Sequence, residues 1–168
     1  MNLHRMLSRR AENGQPVGVG LIGAGKFGTM FLAQARLTTG LNITGIADLD
    51  VNRAQAACAR AGWPAEQLKL GDLSQADNTG PTTIGDDATA LIANPAVEVI
   101  IDATGHPSAG IAHCLKAIDH GKHVVMVNVE ADVVAGPLLA RKAEAAGVVY
   151  SLAWGDQPAL IAEHVDWA

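Results

Sequence analysis

The chain has 168 residues, 49% of them hydrophobic and 17% charged, which describes a globular domain able to bury roughly 70% of its unfolded surface and excludes a disordered chain. A net charge of −5 excludes nucleic acid or an anionic membrane as the main partner, because both require clustered Lys and Arg. No apolar run is long enough to span a membrane, and Arg5, Arg9 and Arg10 are not followed by the apolar core of a signal peptide.

Residues 3–11 carry Leu3, Met6 and Leu7 at helical spacing, which predicts a short outer helix ending near Asn13-Gly14. Val17 to Ile22 reads as a buried strand. The next helix runs from about Lys26 to Thr38, with Phe27, Met30, Phe31 and Ala35 on one face and Gly40 ending it. Asn42 to Ala47 is a second strand, and Val51 to Ala61 a helix that Asp50 caps and Gly62 terminates. The pattern weakens from Trp63 to Gly80, where Pro64 opens one short helix and Leu73 to Asp77 forms another.

Thr82 to Ile84 reads as a short strand, followed by a helix over 87–93 that stops before Asn94-Pro95. Val97 to Asp102 is nearly continuous in apolar residues, as in a strand buried on both faces. A helix over Ser108 to His120 ends at Gly121, and His123 to Val129 is the next strand. Pro137 then opens a helix that reaches Ala146 and closes at Gly147. Val148 to Leu152 is the last strand, and a final helix starts near Gln157-Pro158 and is still running at Ala168. Strands alternating with helices predict an α/β fold, a doubly wound parallel sheet of about six strands with right-handed crossovers.

The most informative stretch joins the first strand to its helix. Gly23-Ala24-Gly25-Lys26-Phe27-Gly28 is a G-x-G-x-x-G sequence in the strand, tight turn and helix context that gives the pattern meaning. Gly23 allows the turn, Gly25 lets backbone approach a pyrophosphate, and Gly28 lets the helix pack close to the strand. Phosphates then meet free amides and the positive end of the helix dipole. The cofactor this predicts is NAD or NADP, in a Rossmann-type domain over 16–168 preceded by the helix within 1–15. Asp48 closes the second strand, 20 residues beyond Gly28, where a carboxylate accepts hydrogen bonds from an adenosine ribose. Such a carboxylate repels a 2′-phosphate, whereas Arg53 can offset that repulsion, so both cofactors stay open.

Asp102-Ala-Thr-Gly-His-Pro107 follows the fourth of these strands at the ligand-binding edge of the sheet. Thr104 and Gly105 suit a ribose or nicotinamide, and His106 is either a cofactor contact or an acid–base group. Asn128, Glu130 and Asp132 alternate after the next strand and share one face if it persists that far. Asn128 then reaches the nicotinamide ribose or carboxamide, Glu130 transfers a proton or contacts substrate, and Asp132 reads as a turn residue. His120 and His123 straddle a helix-ending glycine, so a helix-dipole role explains His120 better than metal does, and no metal is expected. Gly155-Asp-Gln-Pro158 borders the same edge. Cys58 and Cys114 have neither metal nor redox spacing and read as reduced core residues of a cytoplasmic protein.

Taken together, the glycine turn, Asp102-Ala-Thr-Gly105, His123-Val-Val-Met-Val-Asn128 and Gly155-Asp-Gln-Pro158 resemble the cofactor domain of homoserine dehydrogenase-like oxidoreductases. The chain is most similar to the branch carrying a C-terminal SAF domain, which includes 1-deoxy-D-xylulose 5-phosphate reductoisomerase-like proteins. The resemblance implies that Gly23, Gly25 and Gly28 hold the pyrophosphate, Asp48 sits near the adenosine ribose, and Thr104 and Gly105 lie along the cofactor. Asn128 matches the asparagine of the family's Asn-Lys pair, but Val129 replaces the lysine, which argues against homoserine as substrate and for the SAF-domain branch.

These readings predict the NAD(P)-binding part of an oxidoreductase that exchanges hydride with a small carbonyl or hydroxyl substrate. The last helix carries an apolar stripe of Leu160, Ile161, His164 and Val165 and has no cap before Ala168. That predicts a fragment, inactive alone, with a substrate domain beyond residue 168, and it leaves association between copies open. Two rivals are a non-catalytic nucleotide-sensing module and a Rossmann domain that has lost its ligand and serves as a docking platform. Polar residues after the strands ending at Asp102 and Val129 favour the enzyme.

Overall fold

The computed structural model describes residues 2–153, 161 and 164–168. Seven parallel strands form one sheet in the order β3-β4-β2-β1-β5-β6-β7. In chain order these are β1 (Val17–Ile22), β2 (Leu41–Ala47), β3 (Leu68–Leu70), β4 (Thr82–Gly85), β5 (Val99–Asp102), β6 (His123–Met126) and β7 (Tyr150–Leu152). The helices are α1 (Leu3–Glu12), α2 (Lys26–Ala35), α3 (Val51–Arg60), α4 (Ala88–Ala93), α5 (Pro107–Asp119) and α6 (Val129–Ala145). Central β1 has β2 on one side and β5 on the other, so the strand order reverses there and opens a crevice at the carboxyl ends.

Each central strand is apolar on both faces because each face is covered. Leu21 and Ile46 pack with Leu32, Ala54 and Ala57 of α2 and α3. Ile22 and Ile100 pack with Leu91, Ala117 and Leu139 of α4, α5 and α6. Asp50 caps α3 by accepting from the Arg53 amide, and Gly62 follows that helix in a left-handed conformation (φ +77°), as the sequence indicates.

The doubly wound parallel sheet and the short N-terminal helix are as expected, and four details differ. The sheet has seven strands: β3 is a short edge strand with exposed residues, and it pairs only with β4. A three-residue strand with only Leu68 half-buried leaves little hydrophobic pattern to read. Second, α2 buries Gly28, Leu32 and Ala35, at i, i+4 and i+7, while Met30 is 56% exposed. The close approach at Gly28 sets the face, with Ala35 buried as expected and Phe31 packed at its margin.

Third, α6 begins at Val129, so Pro137 lies within it. Asn128 caps the helix by accepting from the Ala131 amide, with Glu130 and Asp132 in the first turn. Proline is tolerated here on an exposed flank: Val133, whose carbonyl would otherwise receive the missing N–H, is itself exposed. Fourth, β6 stops at Met126, so Asn128, Glu130 and Asp132 do not alternate along a strand face. The turn Gly155-Asp-Gln-Pro158, Leu160 and the start of the last helix lie outside the described residues; Ile161 and residues 164–167 are helical.

Both cysteines are buried and unpaired. Burial pushes the Cys58 thiol up to about 11 and Cys114 up to about 12, so at neutral pH neither offers thiolate. An Ellman assay at pH 8 is expected to count no thiol in the native chain and two in denaturant. Rapid native reaction at either position would contradict this packing.

Candidate functional site

The crevice begins at the β1–α2 turn. Gly23 has φ +96°, and a Cβ there would lie 2.7 Å from the Ala103 carbonyl oxygen, so the turn and the β5 loop touch only because a side chain is missing. At Gly28 a Cβ would meet the Gly23 carbonyl oxygen at 2.5 Å, which fixes how closely α2 can sit on the turn. Gly25 is different: a Cβ there meets nothing within 4 Å and would project into open space. Gly25 is also the N-cap of α2 and provides no side-chain cap. The amides of Gly25, Lys26, Phe27 and Gly28 have no acceptor among the described residues. Four free donors at the positive end of a helix, next to a space that a side chain would fill, form an anion cradle.

The turn is held by Asp48, whose carboxylate is 4% exposed by residue. Its Oδ2 accepts from the Ala24 amide at 2.8 Å, and its Oδ1 from the Asp50 amide at 2.9 Å and Arg53 Nη2 at 2.6 Å. A carboxylate has about four acceptor positions, so one remains for an incoming hydroxyl, and a second opens if Arg53 moves away. Arg53 is half exposed at its guanidinium end. The hydrogen bond and charge of Asp48 hold its pKa above the ordinary value.

Beyond Asp48 the crevice widens into a cavity of about 520 Å³ whose lining includes Gly25, Asp48, Arg53, Asp86, Thr104 and His113. That volume lies in the range of small-molecule and cofactor sites. The β5 loop forms its far wall. Thr104 Oγ1 donates to Asp102 Oδ1 at 2.8 Å. His106 lines the cavity and caps α5, its Nδ1 accepting from the Ala109 amide at 3.4 Å and lying 3.1 Å from Ser108 Oγ. Gly105, exposed at φ +68°, makes the loop's bend.

The structure therefore brings together the glycine turn, Asp48, Arg53, Thr104 and His106. Lys26 is exposed and Phe27 half-buried at the start of α2. Asn128 is placed elsewhere: it is 2% exposed, and its Nδ2 donates to the His106 carbonyl at 2.9 Å and to Thr104 Oγ1 at 3.1 Å, with Asp102 Oδ1 3.3 Å away. These bonds and its cap to α6 use its donors and acceptor, so it braces the β5 loop from behind. Glu130 is exposed on α6, and Asp132 Oδ1 accepts from the Tyr150 hydroxyl at 2.6 Å. Burial, then that bond, raises the Tyr150 hydroxyl's pKa. His120 Nδ1 is 2.9 Å from the Lys116 carbonyl oxygen, while His123 Nδ1 accepts from the Val149 amide, so the two histidines serve separate partners.

Two titratable residues of the cavity lining, Asp86 and His113, went unread in the sequence. Asp86 follows β4 as Asp48 follows β2, and the same rule of a carboxylate at a strand's carboxyl end would have found it. His113 sits inside α5, where only the tertiary fold brings its Nδ1 to 2.7 Å from Asp102 Oδ2.

Residues 18–152 match the family model described as homoserine dehydrogenase, NAD binding domain. The chain belongs to that family. Among curated relatives, a homoserine dehydrogenase from Methylobacillus glycogenes is 27% identical over 118 residues, which are 68% of this chain and 25% of that protein. Among solved structures, a homoserine dehydrogenase from Thiobacillus denitrificans superposes with a TM-score of 0.65 at 20% identity, over 82% of this chain and 29% of that one. A myo-inositol dehydrogenase from Lactobacillus casei, in complex with NAD(H) and myo-inositol, gives 0.64 at 19% identity, over 91% and 42%. At these identities the superpositions establish the fold. The chain spans about a quarter of the length of its curated relative. It is a Rossmann-fold NAD(P)-binding domain of the homoserine dehydrogenase family. No helix of the described residues is long and apolar enough to cross a membrane.

Proposed function

We propose that this chain is the cofactor-holding part of an oxidoreductase that moves hydride between NAD(P) and a small carbonyl or hydroxyl compound. The observation that carries the reading is the open space at Gly25 faced by four free amides. The diphosphate occupies that cradle, flanked by Lys26 and Phe27, and the adenosine ribose takes the remaining acceptor position of Asp48. Thr104, Gly105 and His106 border the path toward the nicotinamide. The cofactor supplies the hydride chemistry, and the chain's residues supply binding and orientation. Asn128 is a positioning residue in this reading, because its bonds fix the β5 loop, and Glu130, exposed in the first turn of α6, is the candidate contact to substrate. The substrate itself would be held by a domain following residue 168, which makes this chain alone a binder with negligible turnover. Val129 in place of the family's lysine favours the SAF-domain branch over homoserine itself, and buried, unpaired Cys58 and Cys114 suit a reducing cytoplasm.

Calorimetric titration with NADH and NADPH tests the reading and settles cofactor choice. Arg53 is the only cation against Asp48 among the described residues, and a 2′-phosphate would need it to swing outward as its counter-ion. Arg53→Ala is therefore expected to weaken NADPH roughly tenfold and change NADH by less than about twofold, the worth of a charge-assisted hydrogen bond. Equal effects on both cofactors would remove Arg53 from the choice, and binding of neither by the unaltered chain would remove the proposal.

A further inference from the structure

At the cavity wall His113 is backed by buried Asp102, a pair that the glycine turn and Asp48 do not require. Asp102 closes β5 and is 1% exposed. Its Oδ1 takes bonds from the Thr104 amide and hydroxyl, while Oδ2 faces His113 Nδ1 at 2.7 Å. A carboxylate only accepts, so the proton of the neutral ring lies on Nδ1 and Nε2 is left as an acceptor. Nε2 has no hydrogen-bond partner among the described residues, and the ring is partly exposed where His113 lines the cavity. An oriented acceptor without a partner, on a helix already braced, is built for a donor.

The position of the pair says which donor. The lining residues come from the β1, β2, β4 and β5 ends and the helices that follow β2, β4 and β5, while Asn128 and Glu130 beyond β6 do not line the cavity. With the diphosphate at Gly25 and a ribose at Asp48, the room between Asp48, Asp86, Ala88 and His113 lies at the adenosine end. Ala47, Ala88, Ala103 and Ala109 give that room short apolar walls, which suit a flat base. We propose that His113 Nε2 reads the exocyclic amine of the cofactor's adenine, with Asp102 setting the tautomer that lets it do so. The inference rests on the binding mode of the preceding subsection and adds a base-specificity determinant to it.

The test compares NADH with the reduced nicotinamide hypoxanthine dinucleotide, in which a carbonyl oxygen replaces the amine and would face Nε2 acceptor to acceptor. The unaltered chain is expected to bind NADH about tenfold tighter than the analogue. His113→Asn keeps a donor for Asp102 but lacks Nε2, and it is expected to bring the two affinities within about twofold of each other. A structural role alone would weaken both ligands equally and leave the ratio intact. A second measurement needs no variant: the ¹⁵N resonance of His113 Nε2 in the unaltered chain should move on saturation with NADH and not with the analogue. A preserved ratio in His113→Asn, no preference in the unaltered chain, or an unmoved Nε2 overturns this inference while the cradle stands. Failure of NADH to bind at all overturns both.

Discussion

Gly25→Val is expected to reduce NADH affinity at least a hundredfold, about 2.7 kcal/mol, with little change in the thermal midpoint. The reason is that this glycine's missing side chain leaves space open and relieves no contact: a Cβ there meets nothing within 4 Å, and φ is −72°. The substitution removes no capping bond either, since Gly25 provides none, so the cost to the fold should stay below about 1 kcal/mol. What the isopropyl group occupies is the approach to the four free amides. Its neighbour Gly28 predicts the opposite split. A Cβ there sits 2.5 Å from the Gly23 carbonyl oxygen, so Gly28→Ala should destabilise the fold by roughly 1–3 kcal/mol. Calorimetric titration and thermal unfolding of the two variants separate the effects. A Gly25→Val chain that binds NADH normally would place the diphosphate elsewhere.

The largest effect on stability is expected at Asp102. Its buried carboxylate accepts from the Thr104 amide, the Thr104 hydroxyl and Asn128, and pairs with His113. Asp102→Ala leaves these groups facing an empty space. Each buried donor left without its acceptor costs roughly 1–3 kcal/mol, and with several affected together the thermal midpoint of a chain of this size falls by on the order of 10 °C. Asn128→Ala removes one of the same ties, its bonds to Thr104 and the His106 carbonyl, and the α6 cap, and should follow the same direction with a smaller shift. A thermal midpoint for Asp102→Ala within about 2 °C of the unaltered chain would show that the cluster is not holding the β5 loop.

Features carried by local sequence were the readable ones. The glycine turn, Asp48 at the end of β2, the Asp50 cap and the near-continuous apolar β5 all arise within a few residues of one another, so their spacing alone identifies them. Features set by contacts across the fold were not. Asn128 reads as a ligand contact after a strand, and only the early end of β6 makes it a helix cap; Glu130 and Asp132 in the following turn carry that signal, but Pro137 offers a competing helix start. Short, exposed β3 owes its existence to pairing with β4, and His113 owes its position to the crossover that lays α5 beside β5. The buried face of α2 illustrates the same point: Gly28 decides it by how closely backbone can approach, an effect that hydrophobic periodicity does not weigh.

The central claim is that the uncapped amides of the β1–α2 turn receive the diphosphate of a dinucleotide. Titrating the ¹⁵N-labelled chain with NADH and following its amide resonances tests this directly. The account predicts saturable shifts centred on Gly25, Lys26, Phe27 and Gly28, reproduced by ADP alone and absent in Gly25→Val. Resonances of these four amides that stay in place while NADH saturates the chain would contradict it.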